Sequence, residues 1–224
     1  MSQNKPYAVY LEIGKGRTFA GAMDWPGWCR SGRDEATALQ SLLDYAPRYA
    51  RIVAATDYGF APPAGLSGID VVERNPGESS TDFGVPGVPP SCDFQEVDEA
   101  ELRRLQALLT VSWDAFDDVY ASAQGKQLRK GPRGGGREVD EIKRHVAEAQ
   151  IAYLGRIGVK LSSAEGENAD YLRQVVLDSL DAAVHHRLPE RGPRGGALWK
   201  PRYFIRRVIW HIVDHAWEIE DRIL

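Results

Sequence analysis

The spacing of hydrophobic residues divides the chain into a short N-terminal part and a longer helical part. Residues 7–31 form short runs rich in aromatic and β-branched residues, separated by Gly-Lys-Gly and Trp-Pro-Gly turn signals, and such runs predict a β-hairpin. Asp34 then fits the N-cap of a helix whose apolar residues recur at helical spacing. Residues 68–75, GIDVVERN, predict a further strand. The sequence therefore predicts a small α+β domain over residues 1–75.

The hydrophobic pattern changes after residue 75, first to a Gly/Pro-rich segment and then to four helical stretches. Residues 76–96 are rich in Gly, Pro and Ser and have no helical period, which is typical of a linker. Apolar residues then recur at helical spacing in four stretches, 97–122, 138–157, 167–187 and 201–224. Because helices of about 20 residues are joined by connections of 9 to 15 residues, we expect an up-down-up-down four-helix bundle over residues 97–224. The predicted fold class is α+β, a small α/β module followed by this bundle.

Composition and charge restrict the function. The formal net charge of −4 disfavours a general nucleic-acid binder, whose phosphate contacts need a basic excess. No apolar run is long enough for a membrane span and the N-terminus lacks a signal-peptide pattern. Cys29 and Cys92 form no CxxC pair, which disfavours a thiolate metal site. We expect a cytoplasmic protein that binds neither nucleic acid nor membrane.

The N-terminal motif resembles a known family. Residues 24–49, DWPGWCRSGRDEATALQSLLDYAPRY, carry a Pro-Gly dipeptide, a glycine a few residues later, a polar helix start and an Ala/Leu-rich helix. This pattern resembles the HicB-like antitoxin domains. The resemblance implies a HicB-like α+β module over about the first third of the chain.

Three histidines carry the strongest chemical signal. His211 and His215 lie one helical turn apart near the end of the chain, so their side chains share one face of the last helix. His145 lies on the bundle-facing arc of the second bundle helix. Counted from one end of an up-down-up-down bundle, His145 and His211 lie at similar depths, which predicts that the three imidazoles meet.

Three imidazoles with a free fourth position suit an open site for Zn²⁺, and imidazole also suits Ni²⁺, Fe²⁺ or Cu²⁺. A metal there would polarise a substrate oxygen or acidify a bound water or thiol. Three carboxylates are candidates for orienting the histidines: Glu148, Asp214 and Glu218. A histidine pair alone is more often structural than metal-binding, and the third histidine at matching depth favours the metal interpretation.

A histidine on the second helix of a four-helix bundle and an H-x-x-x-H pair on the fourth resemble the DinB/YfiT-like superfamily. It includes mycothiol-dependent maleylpyruvate isomerase and the bacillithiol S-transferases. The resemblance covers about residues 97–224. It implies a divalent metal, zinc or nickel, on His145, His211 and His215, and a low-molecular-weight thiol as co-substrate.

Two arginines outside the histidine cluster are candidate substrate contacts. The motif GPRGG occurs in the first and third bundle connections, which the predicted topology puts at one end. Its Arg133 and Arg194 are candidate contacts for an anionic group of the substrate, the alternative being solvated loops. His185 and His186 are predicted to interact with a helix C-terminus. Tyr153 could supply a phenol or an aromatic wall to a pocket, but aromatic residues at helical spacing usually belong to the core, so no role is assigned to it.

We therefore expect a divalent-metal-binding DinB-like protein that acts on a small molecule, as a thiol-linked transferase or isomerase or as a hydrolase. The alternative is a non-catalytic binding or regulatory module with a protein partner. A homodimer is expected if a bundle helix keeps an exposed apolar face.

Overall fold

The computed structural model describes residues 5–130, 136–192 and 195–224. The chain divides into two compact units, Met1–Gln95 and Glu96–Leu224. The described part is mixed α+β, with one four-stranded sheet and six α-helices. None of the described helices is long and apolar enough to cross a membrane.

The sheet of the first unit has the strand order β3-β2-β1-β4. Its strands are β1 (Tyr7–Ile13), β2 (Thr18–Ala22), β3 (Cys29–Gly32) and β4 (Ile69–Pro76). β1, β2 and β3 form an antiparallel meander, whereas β4 pairs parallel with β1. Helix α1 (Glu35–Val53) packs against β2 and β3.

Three strands precede α1, where the sequence predicted two. The additional strand β3 has the sequence CRSG, which is too short and too polar to show a strand period. The turn before it contains Gly27 at φ 94°, a conformation that glycine adopts without a steric penalty. Asp34 caps α1 as predicted, because its carboxylate accepts a hydrogen bond from the backbone N–H of Thr37 at 2.8 Å.

The Gly/Pro-rich segment that we expected to be a linker carries regular structure in the first unit. It contains the short helix α2 (Ser79–Phe83) and a 3₁₀ turn at Ser91–Phe94. The segment is attached to β1 through the fully buried carboxylate of Glu12, which accepts hydrogen bonds from the Thr81 hydroxyl and the backbone N–H groups of Gly87 and Val88. A buried carboxylate requires such donors, so residues 76–95 belong to the first unit.

The second unit contains α3 (Glu99–Ala123), α4 (Val139–Arg156), α5 (Ala169–Val184) and α6 (Pro201–Arg222). Each of these helices contacts the other three. Their bounds agree with the predicted stretches to within three residues at each end.

The direction of the helices differs from the predicted up-down-up-down order. Arg202 at the start of α6 forms a 2.7 Å ion pair with Glu101 at the start of α3. At the other end of these two helices, the backbone N–H of Arg129, which follows α3, donates a hydrogen bond to the carbonyl of Arg222, the last residue of α6, at 2.6 Å. α3 and α6 are therefore parallel, whereas the predicted order makes the first and last helices antiparallel.

The two middle helices run the other way. The carbonyl of Arg156, the last residue of α4, accepts a hydrogen bond from the N–H of Trp199, just before α6. His185, at the end of α5, lies 2.7 Å from Glu99, the first residue of α3. The bundle order is therefore up-down-down-up, and the predicted order was wrong.

The connection between α4 and α5 explains the difference. Residues 157–168 return along the bundle, and Gly166 lies so close to Ile151 of α4 that a Cβ would collide with its side chain. Twelve extended residues span about 40 Å, more than the roughly 27 Å length of an 18-residue helix. Connection length alone therefore did not decide the direction of α5.

Candidate metal centre

His145, His211 and His215 meet between α4 and α6. Their ring centroids lie 4.9 Å apart for His145 and His211, 5.0 Å for His145 and His215, and 4.4 Å for His211 and His215. Each ring offers one nitrogen, and the three nitrogens all lie within 4.8 Å of one another. The three histidines therefore lie close enough to bind one metal ion.

The local sequence places the pair on α6, and the antiparallel packing of α4 brings in the third histidine. His145 lies six residues after Val139, the start of α4, and His215 lies seven residues before Arg222, the end of α6. The depths that match are therefore measured from the start of one helix and the end of the other. The three histidines meet as predicted, but α4 and α6 are antiparallel, whereas the predicted topology made them parallel.

The surroundings favour the neutral form of two of the rings. Burial lowers the pKa of His211 well below its ordinary value, and the charges of His215, His145 and Arg207 act in the same direction. Burial also lowers the pKa of His145, with a further contribution from Arg137. Because a metal binds the neutral imidazole, both residues are in the binding form at neutral pH.

Glu218 orients His215. Its Oε2 lies 2.6 Å from Nδ1 of His215, and its Oε1 accepts a hydrogen bond from Arg222 at 2.5 Å. Burial acts to raise the pKa of Glu218, but the hydrogen bonds from His215 and Arg222 lower it overall. The carboxylate therefore holds the proton of His215 on Nδ1 and leaves Nε2 as the acceptor. Glu218 was one of the three candidate carboxylates, and it contacts a histidine of the cluster through a hydrogen bond.

His211 has a buried ring nitrogen without a hydrogen-bond partner. Its Nδ1 is inaccessible to solvent and makes no hydrogen bond within the described residues, an uncommon state for a buried polar atom. A tetrahedral site with Zn–N bonds of about 2 Å places its nitrogens about 3.3 Å apart. The three candidate nitrogens lie within 4.8 Å of one another and all belong to imidazoles, so the donor set fits a divalent metal.

A phenol and a guanidinium lie beside the histidines. Tyr153 lies on α4 two turns after His145, and Arg207 lies on α6 one turn before His211. Arg207 donates a hydrogen bond to the Tyr153 hydroxyl at 3.0 Å, and the Tyr153 ring lies 5.9 Å from that of His211. The sequence alone assigned no role to Tyr153, and Arg207 was not among the candidate residues. The i, i+4 spacing of Arg207 and His211 was the available signal.

The candidate anion contacts Arg133 and Arg194 lie outside the described residues, and the described residues around them separate the two GPRGG connections. Arg129, before the first, bonds to the end of α6, whereas Trp199, after the second, bonds to the end of α4. These are opposite ends of the bundle, so the expectation of a common end was wrong.

His185 is not part of the cluster. Its Nδ1 lies 2.8 Å from the carbonyl of Asp181, within the last turn of α5, and its Nε2 lies 2.7 Å from Glu99. These contacts raise the pKa of His185. His185 therefore lies against the C-terminus of α5, where the sequence predicted it.

No family model, curated protein or solved structure matches this chain.

Proposed function

We propose that the protein binds one divalent metal ion, zinc or nickel, on His145, His211 and His215, and that the metal serves chemistry on a small molecule. The observation that carries this proposal is the convergence of three histidines from two helices, with their candidate ligand nitrogens within 4.8 Å. The carboxylate of Glu218 behind His215 and the lowered pKa values of His145 and His211 support it.

The class of reaction is a further part of the proposal. Three protein ligands leave a coordination position for a ligand, as in catalytic metal sites. A metal in this position lowers the pKa of a bound thiol or water. Together with the resemblance of residues 97–224 to the DinB/YfiT-like superfamily, this favours a thiol-linked transferase or isomerase, with Glu218 holding His215 in its binding tautomer. The first unit is proposed to be a HicB-like module.

Metal analysis tests the site. Wild-type protein, purified without a chelator or affinity tag and then offered Zn²⁺ or Ni²⁺, should hold about one ion per chain. His211→Ala and the half-exposed His145→Gln should each lose it, whereas His185→Ala is the matched control and should retain it. Circular dichroism confirms that the variants remain folded. A wild-type protein that takes up no metal, or a His145→Gln protein that keeps it, would refute the proposal.

A thiol-transfer assay then tests the reaction class. The metal-loaded protein should accelerate the reaction of a small thiol with 1-chloro-2,4-dinitrobenzene, and the metal-free protein should not. A loaded protein that accelerates no reaction of a thiol or of water would instead support a non-catalytic, metal-stabilised binding module.

A further inference from the structure

The residues next to the histidine cluster bear on which ligand the metal would receive. α4 and α6 are antiparallel, so the step from His145 to Tyr153 and the step from His211 to Arg207 lead in the same direction along their interface. The phenol and the guanidinium therefore lie together on one side of the cluster.

The hydrogen bond between Arg207 and Tyr153 has a defined direction. A guanidinium only donates, so the Tyr153 oxygen accepts at 3.0 Å. Among the described residues this is the one hydrogen bond that the Tyr153 hydroxyl makes, and the side chain is half-buried. Because a phenol can accept and donate at once, its proton remains available to an incoming acceptor.

The two side chains are held in place by packing. The Arg207 guanidinium lies 4.7 Å from the centre of the Trp210 ring and 5.4 Å from that of Tyr153. The Tyr153 ring also packs against Trp199, whose ring lies 5.4 Å from it. Stacking on aromatic rings restricts the orientation of a guanidinium, so the hydroxyl that it contacts is positioned before any ligand arrives.

The charge around the cluster favours an anion. Arg207 and Arg137 both lie close enough to disfavour a positive charge on His211. The opposing effects of Glu148 and Glu218 on His145 are smaller than that of Arg137, and Glu218 is itself paired with Arg222. A divalent ion on three neutral imidazoles adds two further positive charges. A ligand with an anionic oxygen beyond its metal-binding atom would be attracted to this environment.

We infer that Tyr153, positioned by Arg207, is the second anchoring point for the ligand of the metal centre, and that this ligand carries a carboxylate in addition to the atom that binds the metal. This inference rests on the proposed metal site and specifies its ligand class, a small mercaptocarboxylate or a compound with that arrangement. Tyr153 recognises the ligand, whereas Arg207 is a positioning residue.

Paired ligands test the inference on the full chain loaded with Co²⁺, whose visible spectrum reports thiolate coordination. Mercaptoacetate, 3-mercaptopropionate and 4-mercaptobutyrate are titrated beside ethanethiol, 1-propanethiol and 1-butanethiol, the corresponding thiols without a carboxylate. One acid should bind at least about tenfold more tightly than its neutral partner, as expected for a hydrogen bond to a charged group.

The variants separate recognition by Tyr153 from chelation by the ligand itself. Tyr153→Phe should lose about tenfold in affinity for the preferred acid and leave the affinity for the neutral thiols unchanged. Tyr171→Phe removes the same atom from exposed Tyr171 on α5 and should behave as wild type. Arg207→Lys keeps the charge but loses the planar fork, and should weaken acid binding without changing neutral-thiol binding.

The outcomes distinguish a failure of the proposed metal site from a failure of the inference about its ligand. A wild-type protein that takes up no Co²⁺ would overturn the metal site and this inference with it. Uptake of Co²⁺ with equal binding of acids and neutral thiols, or an acid preference that persists in Tyr153→Phe, would overturn the inference alone. Tyr153→Phe removes one oxygen from a half-buried side chain, so the test remains decisive even if Arg207→Lys does not fold.

Discussion

Glu218 lies 2.6 Å from Nδ1 of His215 and also accepts a hydrogen bond from Arg222. One carboxylate thus joins the candidate metal ligand His215 to Arg222, which lies one turn beyond Glu218 along α6. The arrangement is that of a carboxylate–histidine pair, in which the carboxylate sets the tautomer and increases the basicity of the ring.

Replacing Glu218 should therefore weaken metal binding without removing the site. We expect Glu218→Gln to lower the affinity for Zn²⁺ by about 10- to 100-fold. Competition with a chromophoric chelator measures the affinity, and Glu220→Gln, at an exposed position of α6, is the control. An unchanged Glu218→Gln affinity would show that His215 is oriented by other contacts.

The metal-free protein should lose stability as the pH falls. The pKa values of His145 and His211 are lowered in the folded protein from an ordinary value of 6.5, chiefly by burial. Between the lowered and the ordinary pKa the unfolded chain binds more protons, so the free energy of unfolding decreases as the pH falls below about 6.5. Urea unfolding followed by helical circular dichroism between pH 8 and 5 measures this decrease. The double variant His145→Gln/His211→Gln should show a smaller decrease. An equal dependence on pH in wild type and variant would show that these two histidines do not cause it.

The stabilisation that His185 provides should depend on pH in the opposite direction. The Asp181 carbonyl and Glu99 raise the pKa of His185. Its contribution to the free energy of unfolding is therefore fully present below about pH 6.5 and is lost as the pH rises through the raised pKa. Glu99→Gln should remove part of this contribution at pH 5.5 and change little at pH 9. A variant that is equally destabilised at both pH values would show that the contact does not depend on the charge of His185.

The first unit offers a stability test at Glu12. Glu12→Ala removes the acceptor of three donors, the Thr81 hydroxyl and the N–H groups of Gly87 and Val88. We expect the free energy of unfolding to fall by about 3 kcal/mol, since buried donors would lose their partner. Cleavage within residues 76–95 by a low concentration of thermolysin should also become faster. Asp70→Ala, at an exposed position of β4 outside the segment, is the control for the proteolysis. A segment that is cleaved equally fast in wild type and Glu12→Ala would show that it is not held by this carboxylate.

Much of the local structure and the identity of the cluster could be predicted from the sequence. The apolar period located α3 to α6, and Asp34 marked the start of α1. The i, i+4 spacing placed His211 and His215 on one side of a helix wherever that helix packs. These features depend on neighbouring residues in the chain, and the sequence contains that information directly.

Only the tertiary structure decided how these elements are combined. The path of residues 157–168 made α4 and α5 parallel to each other, and no local pattern reveals the direction of a long connection. β3 exists because β2 pairs with it. Tyr153 and Arg207 are 54 residues apart, and their contact arises where α4 crosses α6. The sequence thus determined the helices and the candidate ligands, whereas long-range packing decided their neighbours, because those contacts join residues that are distant in the chain.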